Sequence, residues 1–328
     1  MASIADPFLR SQLEQRKRRL EDALAAPQEN ASLSQLLQEV DSALERMENG
    51  TYGICQECHD SIEQNRLLAD PLICFCLDHL TTAQRRRLEE DLELAARVQK
   101  NLLPPRDVRA AGWQAHYYYE PLGPVSGDYC DLIASENGTE NLLFLLGDVS
   151  GKGVAASLLM THLHAMFRSL TSVGLSIEQM MYRANRLFCE STVADQFATL
   201  VCGRASRSGD VEISSAGHCP VLAVRSGNVS HIESTGIPLG MFSNAEYAVH
   251  RTKLEQQDSL FLFTDGVSET RDAAGSEYGV GRVAEFVHRQ RALSPEHIAA
   301  ECLKDLRTFS SGAPRADDLT LLVIRREN

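Results

Sequence analysis

The stretch NLLFLLGDVSGKG, residues 141–153, decides how this chain folds. Its apolar run, residues 142–146, is too short for a surface helix and predicts a buried strand, with Asp148 where that strand emerges. Small residues then let the backbone turn sharply, and residues 154–170 have the length and composition of a mostly buried helix. A carboxylate fixed at a strand end, beside exposed backbone groups, suits a hard cation.

The same residues allow two other interpretations of Asp148. A single aspartate after a glycine is often a turn or helix-capping residue. A phosphate-binding loop of the Walker type needs four residues between its first glycine and a Gly-Lys pair, followed by Ser or Thr. Here three residues separate Gly147 from Gly151, and Gly153 follows Lys152, so that pattern does not match. The metal hypothesis therefore depends on further acids.

Composition favours a globular protein with one full domain and a smaller module. The chain has 328 residues, a net charge of -13 and 43% hydrophobic residues. Nucleic-acid affinity comes from basic residues, so we do not expect this acidic chain to bind nucleic acid. A membrane span needs about 20 apolar residues, and no apolar run in the sequence approaches that length, so we do not expect a membrane partner. Nine cysteines without an apolar signal core indicate the cytoplasm, where cysteine clusters bind metal more often than they form disulfides.

Helical periodicity dominates the first hundred residues. Spacings of three and four line one face of a helix at Leu33, Leu37, Val40, Leu44 and Met47. A shorter partner precedes it at Leu13, Leu20 and Leu24, and residues 25–32 connect the two. The pattern predicts an antiparallel helical hairpin.

Four potential zinc ligands follow the hairpin as a C-x2-C pair and a C-x2-H pair: Cys55, Cys58, Cys76 and His79. Two such pairs supply the four ligands that a tetrahedral structural zinc ion requires. Cys74 is an alternative third ligand, although the C-x2-H spacing favours Cys76 with His79. The sequence predicts one structural zinc.

Residues 33–80 resemble the DksA/TraR-type zinc finger, through ALERMENGTYGICQECHDSIEQNRLLADPLICFC. His79 stands where that family usually has its fourth cysteine. Members of the family can bind RNA polymerase through paired acidic residues at a coiled-coil tip, whereas the loop here offers only Glu29. The resemblance implies zinc, and it leaves RNA polymerase as an unlikely partner.

A third helix is predicted over residues 82–103. Its seam positions carry Leu88, Leu92, Ala95 and Leu102, which is typical of a dimeric coiled coil or of a helix packed on the next domain. Pro104 and Pro105 end it. We therefore predict a zinc-finger hairpin over 1–81, a linker helix over 82–104 that forms a homodimer, and a catalytic domain over 105–328.

Beyond Pro105 the chain alternates short apolar strands with glycine-rich turns. The predicted strands are 113–119, 142–146, 198–203, 211–215, 221–224, 259–263 and 319–324, and the helices are 154–170, 177–190 and one or two within 280–309. Because this order does not fit a repeating βαβ unit, we predict an α+β fold, a β-sandwich flanked by helices.

Four acids share one context, each at the edge of an apolar strand: Asp128, Asp148, Asp265 and Asp317. Carboxylates brought close together repel one another unless a cation compensates them. Aspartate ligands favour Mg²⁺ or Mn²⁺, and two such ions can position a phosphate for attack by water. The quartet predicts phosphoester hydrolysis.

The order of motifs across residues 92–325 resembles the SpoIIE-like branch of the PPM (protein phosphatase 2C-type) serine/threonine phosphatases. The motifs are SGDYCD, GDVSGKG, FATL, AGHCP, GIPLG, TDGVSE and DDLTLLVI. This resemblance implies a PPM-type sandwich and a centre of two Mn²⁺ or Mg²⁺ ions that activates water against phosphoserine or phosphothreonine.

The resemblance also implies a role for each matching residue. Asp148 would bridge both metals and the Val149 carbonyl would bind one of them. Asp128 would bind the second metal, and Asp265 and Asp317 the first. Gly266 would hold the turn open, and Asp318 is the alternative to its neighbour Asp317.

Other polar residues receive structural interpretations. His218 is interpreted as a histidine that braces a turn, Asp131 as an accessory or surface acid, and Arg168 as an ordinary helix surface charge. No arginine stands out as a phosphate ligand.

The resemblance implies that the substrate is a phosphorylated regulatory protein such as an anti-sigma-factor antagonist. The alternative is a regulator without catalysis, which binds RNA polymerase or a signalling partner through the zinc hairpin. The complete acid set favours the enzyme.

Overall fold

The computed structural model describes residues 6–24, 31–79, 82–135, 138–192 and 196–327. The chain divides into two compact units, Met1–Asp91 and Leu92–Asn328. The boundaries predicted at 81/82 and 104/105 stay predictions. Within the described ranges, no helix is both long and apolar enough to cross a membrane.

The first unit begins with the predicted helical hairpin, formed by α1 (Asp6–Leu24) and α2 (Ala31–Glu48). Ion pairs join Lys17 to Asp41 at 2.6 Å and Arg10 to Glu48 at 3.6 Å, so the helices run antiparallel. Their contact buries Leu13, Leu20 and Val40 of the predicted face together with Ala43. The other predicted positions of the second helix are partly buried against them: Leu33, Leu37, Leu44 and Met47. Residues 25–30 of the predicted connecting loop lie outside the described residues.

Three elements follow the hairpin along the chain: α3 (Gln64–Ala69), a 3-10 turn at Leu77–His79, and α4 (Thr82–Leu102). The last of these matches the helix predicted for residues 82–103.

Within the described ranges, the second unit contains the last part of α4, eleven strands and five further helices. The strands are β1 (Asp107–Ala110), β2 (Trp113–Glu120), β3 (Asp128–Ala134), β4 (Asn141–Val149), β5 (Ala198–Ser206), β6 (Asp210–Ala216), β7 (Val221–Arg225), β8 (Asn228–Ile232), β9 (His250–Lys253), β10 (Ser259–Phe263) and β11 (Leu319–Arg326). The helices are α5 (Gly153–Thr171), α6 (Ile177–Ser191), α7 (Asp265–Ser268), α8 (Gly279–Gln290) and α9 (Pro295–Ser310).

The strands form two antiparallel sheets, ordered β1-β2-β11-β10-β7-β8 and β3-β4-β5-β6-β9. Alternate side chains of both sheets meet in one core, with Trp113 and Leu322 from the first and Phe144 and Val201 from the second. The opposite faces pack against helices: α5 and α6 cover the second sheet, and α8 and α9 cover the first. The predicted helix-flanked sandwich is confirmed.

All seven predicted strands are present, whereas β1, β3, β8 and β9 were missed. The missed β3 is the instructive case, because its sequence DYCDLIA holds two aspartates and yet its first five residues are buried. Strands are predicted from apolar runs, so a buried strand that contains charged residues is missed when only the folded structure reveals the partners of those charges.

Candidate active site

Asp128 and Asp148 face each other across neighbouring strands. Asp128 begins β3, Asp148 lies near the end of β4, and the strand register pairs them directly. The preceding Gly127 lies against this pair: a Cβ there would be 3.3 Å from Asp148 Oδ1 and 3.1 Å from the Val149 carbonyl oxygen. A side chain at 127 would therefore crowd two predicted ligand groups.

Asp265 and Asp317 lie next to strands of the other sheet, Asp265 at the start of α7 just after β10 and Asp317 just before β11. β10 and β11 pair with Phe263 opposite Leu321, so the end of one strand lies beside the start of the other. Gly266 follows Asp265, and a Cβ on it would come within 1.8 Å of the Asp318 carbonyl oxygen. Only glycine fits where these two chain segments cross.

Two threonine hydroxyls connect the sheets at Asp128. The Thr264 hydroxyl donates to Asp128 Oδ2 at 3.1 Å, and the Thr320 hydroxyl donates to the same oxygen. Thr320 lies in β11 of the first sheet and Thr264 directly follows β10 of the same sheet, whereas Asp128 lies in β3 of the second sheet. These bonds fix the orientation of one carboxylate and leave its other oxygen for a ligand.

The carboxylates are close enough to raise one another's pKa. Burial, and then the charge of Asp148, raise the pKa of Asp128 well above its ordinary value. Burial, and then the charges of Asp265, Asp317 and Asp318, raise the pKa of Asp148 to about 7. Burial and the neighbouring Asp317 also raise the pKa of Asp265. The site thus holds more negative charge than its surroundings stabilise.

The neighbours Asp317 and Asp318 have different partners. Asp318 accepts backbone hydrogen bonds from Leu122 at 2.6 Å and Gly127 at 3.0 Å, which holds the loop before β3. Asp317 accepts a bond from the Lys152 ammonium at 2.8 Å. Because the Asp318 carboxylate is occupied by backbone donors, Asp317 is the better candidate ligand of the two.

The donor set fits hard divalent cations. It consists of carboxylate oxygens and one candidate carbonyl, which are the ligands that Mg²⁺ and Mn²⁺ prefer, and no thiolate is required. The single positive charge of Lys152 does not balance the cluster. Among the described residues, only the cysteine-histidine quartet has its donor atoms all within 4.8 Å, so the aspartate oxygens are spread more widely.

His218 lies behind the cluster. Its Nδ1 is 2.8 Å from the Thr199 hydroxyl, which in turn donates to the Asp148 carbonyl at 3.4 Å. Burial lowers the pKa of His218 to about 4, so the ring is neutral at pH 7. A buried neutral ring in this position suits the interpretation of His218 as a bracing residue.

The interpretation of Arg168 as an ordinary surface charge is wrong. Its guanidinium donates two bonds, at 2.6 and 2.8 Å, to the fully buried carboxylate of Asp131. This pair joins α5 to β3 and explains how an aspartate sits inside a buried strand. Spacing within the sequence could not reveal it, because the partners are 37 positions apart.

The predicted zinc ligands converge in the first unit. Cys55, Cys58, Cys76 and His79 have their donor atoms within 4.8 Å of one another. Cys76 Sγ lies 3.2 Å from His79 Nδ1 and 3.7 Å from Cys58 Sγ. Cys74 is not part of this group, although its carbonyl accepts the Gln56 N–H at 3.0 Å and so ties the two ligand pairs together.

The thiols of this quartet have unequal acidities. Burial opposes ionisation of Cys55, but backbone N–H groups of Cys58, Cys76 and Glu57 lower its pKa to about 6. At Cys58 a backbone bond from Asp60 favours the thiolate, yet burial and the adjacent sulfurs raise the pKa to about 11. A cation would stabilise further thiolates, as in structural zinc sites.

Comparison with known proteins identifies a family for most of the second unit. Residues 138–327 match the family described as Stage II sporulation protein E (SpoIIE). The matched segment runs from the loop before β4 to the end of β11 and includes three of the four central aspartates.

Two curated proteins are similar over most of the chain. Phosphoserine phosphatase RsbU of Bacillus subtilis is 25% identical over 254 residues, which cover 74% of this chain and 72% of RsbU. Protein IcfG of Synechocystis sp. is 27% identical over 269 residues, which cover 72% of this chain and 41% of IcfG. The chain therefore spans less than half the length of IcfG.

Among solved structures, the SiaA-PP2C domain of Pseudomonas aeruginosa is similar in fold. Its TM-score is 0.66 with 18% sequence identity, and the match covers 75% of this chain and 99% of that domain. The sandwich described above is thus a PP2C-type fold.

Proposed function

This chain belongs to the SpoIIE family, and from that premise we propose that it is a Mn²⁺- or Mg²⁺-dependent protein serine/threonine phosphatase. The observation that supports the proposal is the mutual influence of the predicted ligands: Asp128 pairs with Asp148 across β3 and β4, and the charges of neighbouring aspartates, after burial, raise the pKa values of Asp128, Asp148 and Asp265. The name of RsbU, phosphoserine phosphatase, supports phosphoserine as the substrate group.

In this proposal the four aspartates and the Val149 carbonyl would hold two ions. Such ions, when bound, supply Lewis acidity for the phosphoryl group and lower the pKa of water. Thr264 and Thr320 orient Asp128, and the backbone at Gly127 and Gly266 keeps the ligand groups accessible. Lys152, paired with Asp317, adds a positive charge at the mouth of the site.

The substrate that fits this reaction best is a phosphorylated regulatory protein, such as an anti-sigma-factor antagonist. The zinc quartet would hold one structural Zn²⁺ that stabilises the first unit. We also infer a homodimer through α4, where Leu88 of the predicted seam is about half exposed, as are Leu94 and Val98 outside that seam. Replacing Leu88 and Val98 with lysine should then halve the molar mass measured by light scattering.

Phosphate release from a phosphoserine peptide, measured with and without manganese, tests the proposed activity. We expect turnover with manganese, none in excess chelator, and loss of turnover in Asp265→Asn. Asp107→Asn is the matched control, because Asp107 is exposed and pairs only with His116 among the ion pairs of the described residues. The proposed metal-dependent activity would be refuted if turnover in excess chelator equalled turnover with manganese. It would also be refuted if Asp265→Asn and the control variant had equal turnover.

A further inference from the structure

A cleft of about 400 Å³ opens beside Asp317, and most of its lining has no part in the site described above. One wall is apolar and includes Leu303 and Leu306 of α9 together with Pro314. The remaining lining holds four cations, Lys152, Arg271, Arg307 and Arg315, and three carboxylates, Glu120, Glu269 and Asp317. An apolar wall beside guanidinium groups suits a peptide segment that carries an acidic side chain.

Two of these cations already have partners, Lys152 with Asp317 at 2.8 Å and Arg271 with Glu277 at 2.7 Å, whereas Arg307 and Arg315 share a single carboxylate. Glu120 is the carboxylate shared by two guanidiniums, with Arg315 at 3.1 Å and Arg307 at 4.0 Å. Arg315 is also held by the carbonyls of Glu120 and Pro121, at 3.2 and 2.7 Å, so its position is fixed. Arg307 is 73% exposed, which leaves its guanidinium accessible to a ligand.

The cations lie within a short length of chain from the carboxylate centre. Arg315 and Asp317 are two residues apart on the loop between α9 and β11, and two residues span at most about 7 Å. A phosphoserine placed at the centre would therefore bring side chains one to three positions away to the cleft.

We propose that this cleft selects phosphoprotein segments with a glutamate or aspartate within three positions of the phosphoserine, and that Arg307 and Arg315 bind that carboxylate. The inference rests on the proposed phosphatase activity and adds a specificity determinant to it. The net charge of -13 cannot supply such a preference, because the whole molecule repels acidic peptides. Selection for acid must therefore come from local cations.

Two synthetic phosphoserine peptides test the proposal, one with glutamates and one with glutamines at positions two before and two after the phosphoserine. For the unaltered protein with manganese we expect kcat/KM about tenfold higher for the glutamate peptide. Arg307→Glu should remove this ratio, mainly through KM for the glutamate peptide. Lys304→Glu should keep it: Lys304 lies on the same helix, is 74% exposed and does not line the cleft.

A second variant that should lower KM, where Arg307→Glu should raise it, excludes a folding defect as the explanation of the Arg307→Glu result. Glu120→Gln removes the carboxylate that competes for both guanidiniums, while its amide oxygen can still accept the Tyr118 hydroxyl and the backbone carbonyls still hold Arg315. We expect KM for the glutamate peptide to fall about threefold in this variant, with a smaller change for the glutamine peptide.

Hydrolysis of an aryl phosphate separates failure of this inference from failure of the proposed activity. If the unaltered protein hydrolyses the aryl phosphate but treats both peptides alike, the cleft has no selective role and the activity stands. If Arg307→Glu and Lys304→Glu change the peptide ratio equally, the inference is also refuted. If manganese supports hydrolysis of none of the three compounds, the proposed activity itself fails.

Discussion

The two candidate metal centres of this chain are built in opposite ways. In the first unit two of the ligands, Cys55 and Cys76, are themselves part of a core cluster of five buried residues. In the sandwich the aspartates stand at the margin of three large apolar clusters that the sheets and helices complete without them. A metal at the first centre would contribute to an otherwise small core, whereas metals at the second would relieve repulsion in a fold whose core is complete without them.

This difference has a thermodynamic consequence. Small units that bury little apolar surface derive their stability from metal binding, so losing the ion unfolds them. A domain with a complete core retains its fold and loses only its chemistry. Loss of metal should therefore separate the two units by the kind of damage that it causes.

The largest effect should come from Cys76→Ser. Since structural zinc contributes roughly 10 kcal/mol of folding free energy, losing a ligand should unfold residues 31–79, seen as loss of hydrogen-exchange protection there and of bound zinc. Cys74→Ser is the matched control and should keep both. If hydrogen-exchange protection and bound zinc survive in Cys76→Ser but are lost in Cys74→Ser, the third ligand is Cys74 and not Cys76.

The next largest effect should be that of Asp148→Asn on turnover. We expect kcat for a phosphoserine peptide to fall about 1,000-fold, because one carboxylate is predicted to serve both ions. The metal-free thermal midpoint should stay equal or rise, since the substitution removes a carboxylate whose pKa is raised to about 7 by burial and then by the neighbouring aspartates. A large drop in that midpoint would mean that this carboxylate supports the fold.

The pH dependence of folding stability should also separate the sandwich fold from its metal centre, because it depends on His218, which is not a predicted metal ligand. Its pKa is lowered from 6.5 to about 4 by burial, so the unfolded chain takes up a proton that the folded protein refuses. The contribution of His218 to stability is complete above pH 6.5 and falls by up to about 3 kcal/mol as pH drops to 4. Urea unfolding of His218→Gln between these pH values should show a shallower decline; parallel curves would contradict the assignment.

The smallest expected effect concerns the hydroxyls that orient Asp128. Thr264→Val removes one of its two hydroxyl donors but leaves every predicted ligand. We expect the manganese concentration for half-maximal activity to rise about tenfold, the usual cost of losing a group that orients a ligand. Thr308→Val, on the exposed side of α9, should leave that concentration unchanged; an equal rise in both would remove the role of Thr264.

The sequence predicted those parts of the molecule that depend on local pattern. Residues 259–263 form the predicted strand to the residue, because a continuous apolar run bounded by polar residues has a single reasonable interpretation. The C-x2-C and C-x2-H spacing likewise singled out the quartet whose donor atoms the structure brings together. The helical hairpin followed from leucine spacing alone.

What the sequence could not provide depends on contacts between distant residues. The bonds from Thr264 and Thr320 to Asp128 join positions 136 and 192 residues apart. The Asp131–Arg168 pair concealed β3, since a buried strand with two acids looks like a loop until its partner is known. The basic cleft at Arg307 and Arg315 also assembles only when α9 packs beside β2.

Anomalous diffraction at the manganese edge, from crystals grown with manganese, tests the central claim most directly. The account predicts two manganese peaks about 4 Å apart, with a carboxylate oxygen of Asp148 about 2.2 Å from each. Manganese found only at surface positions, with no peak in coordination distance of Asp148, would contradict it.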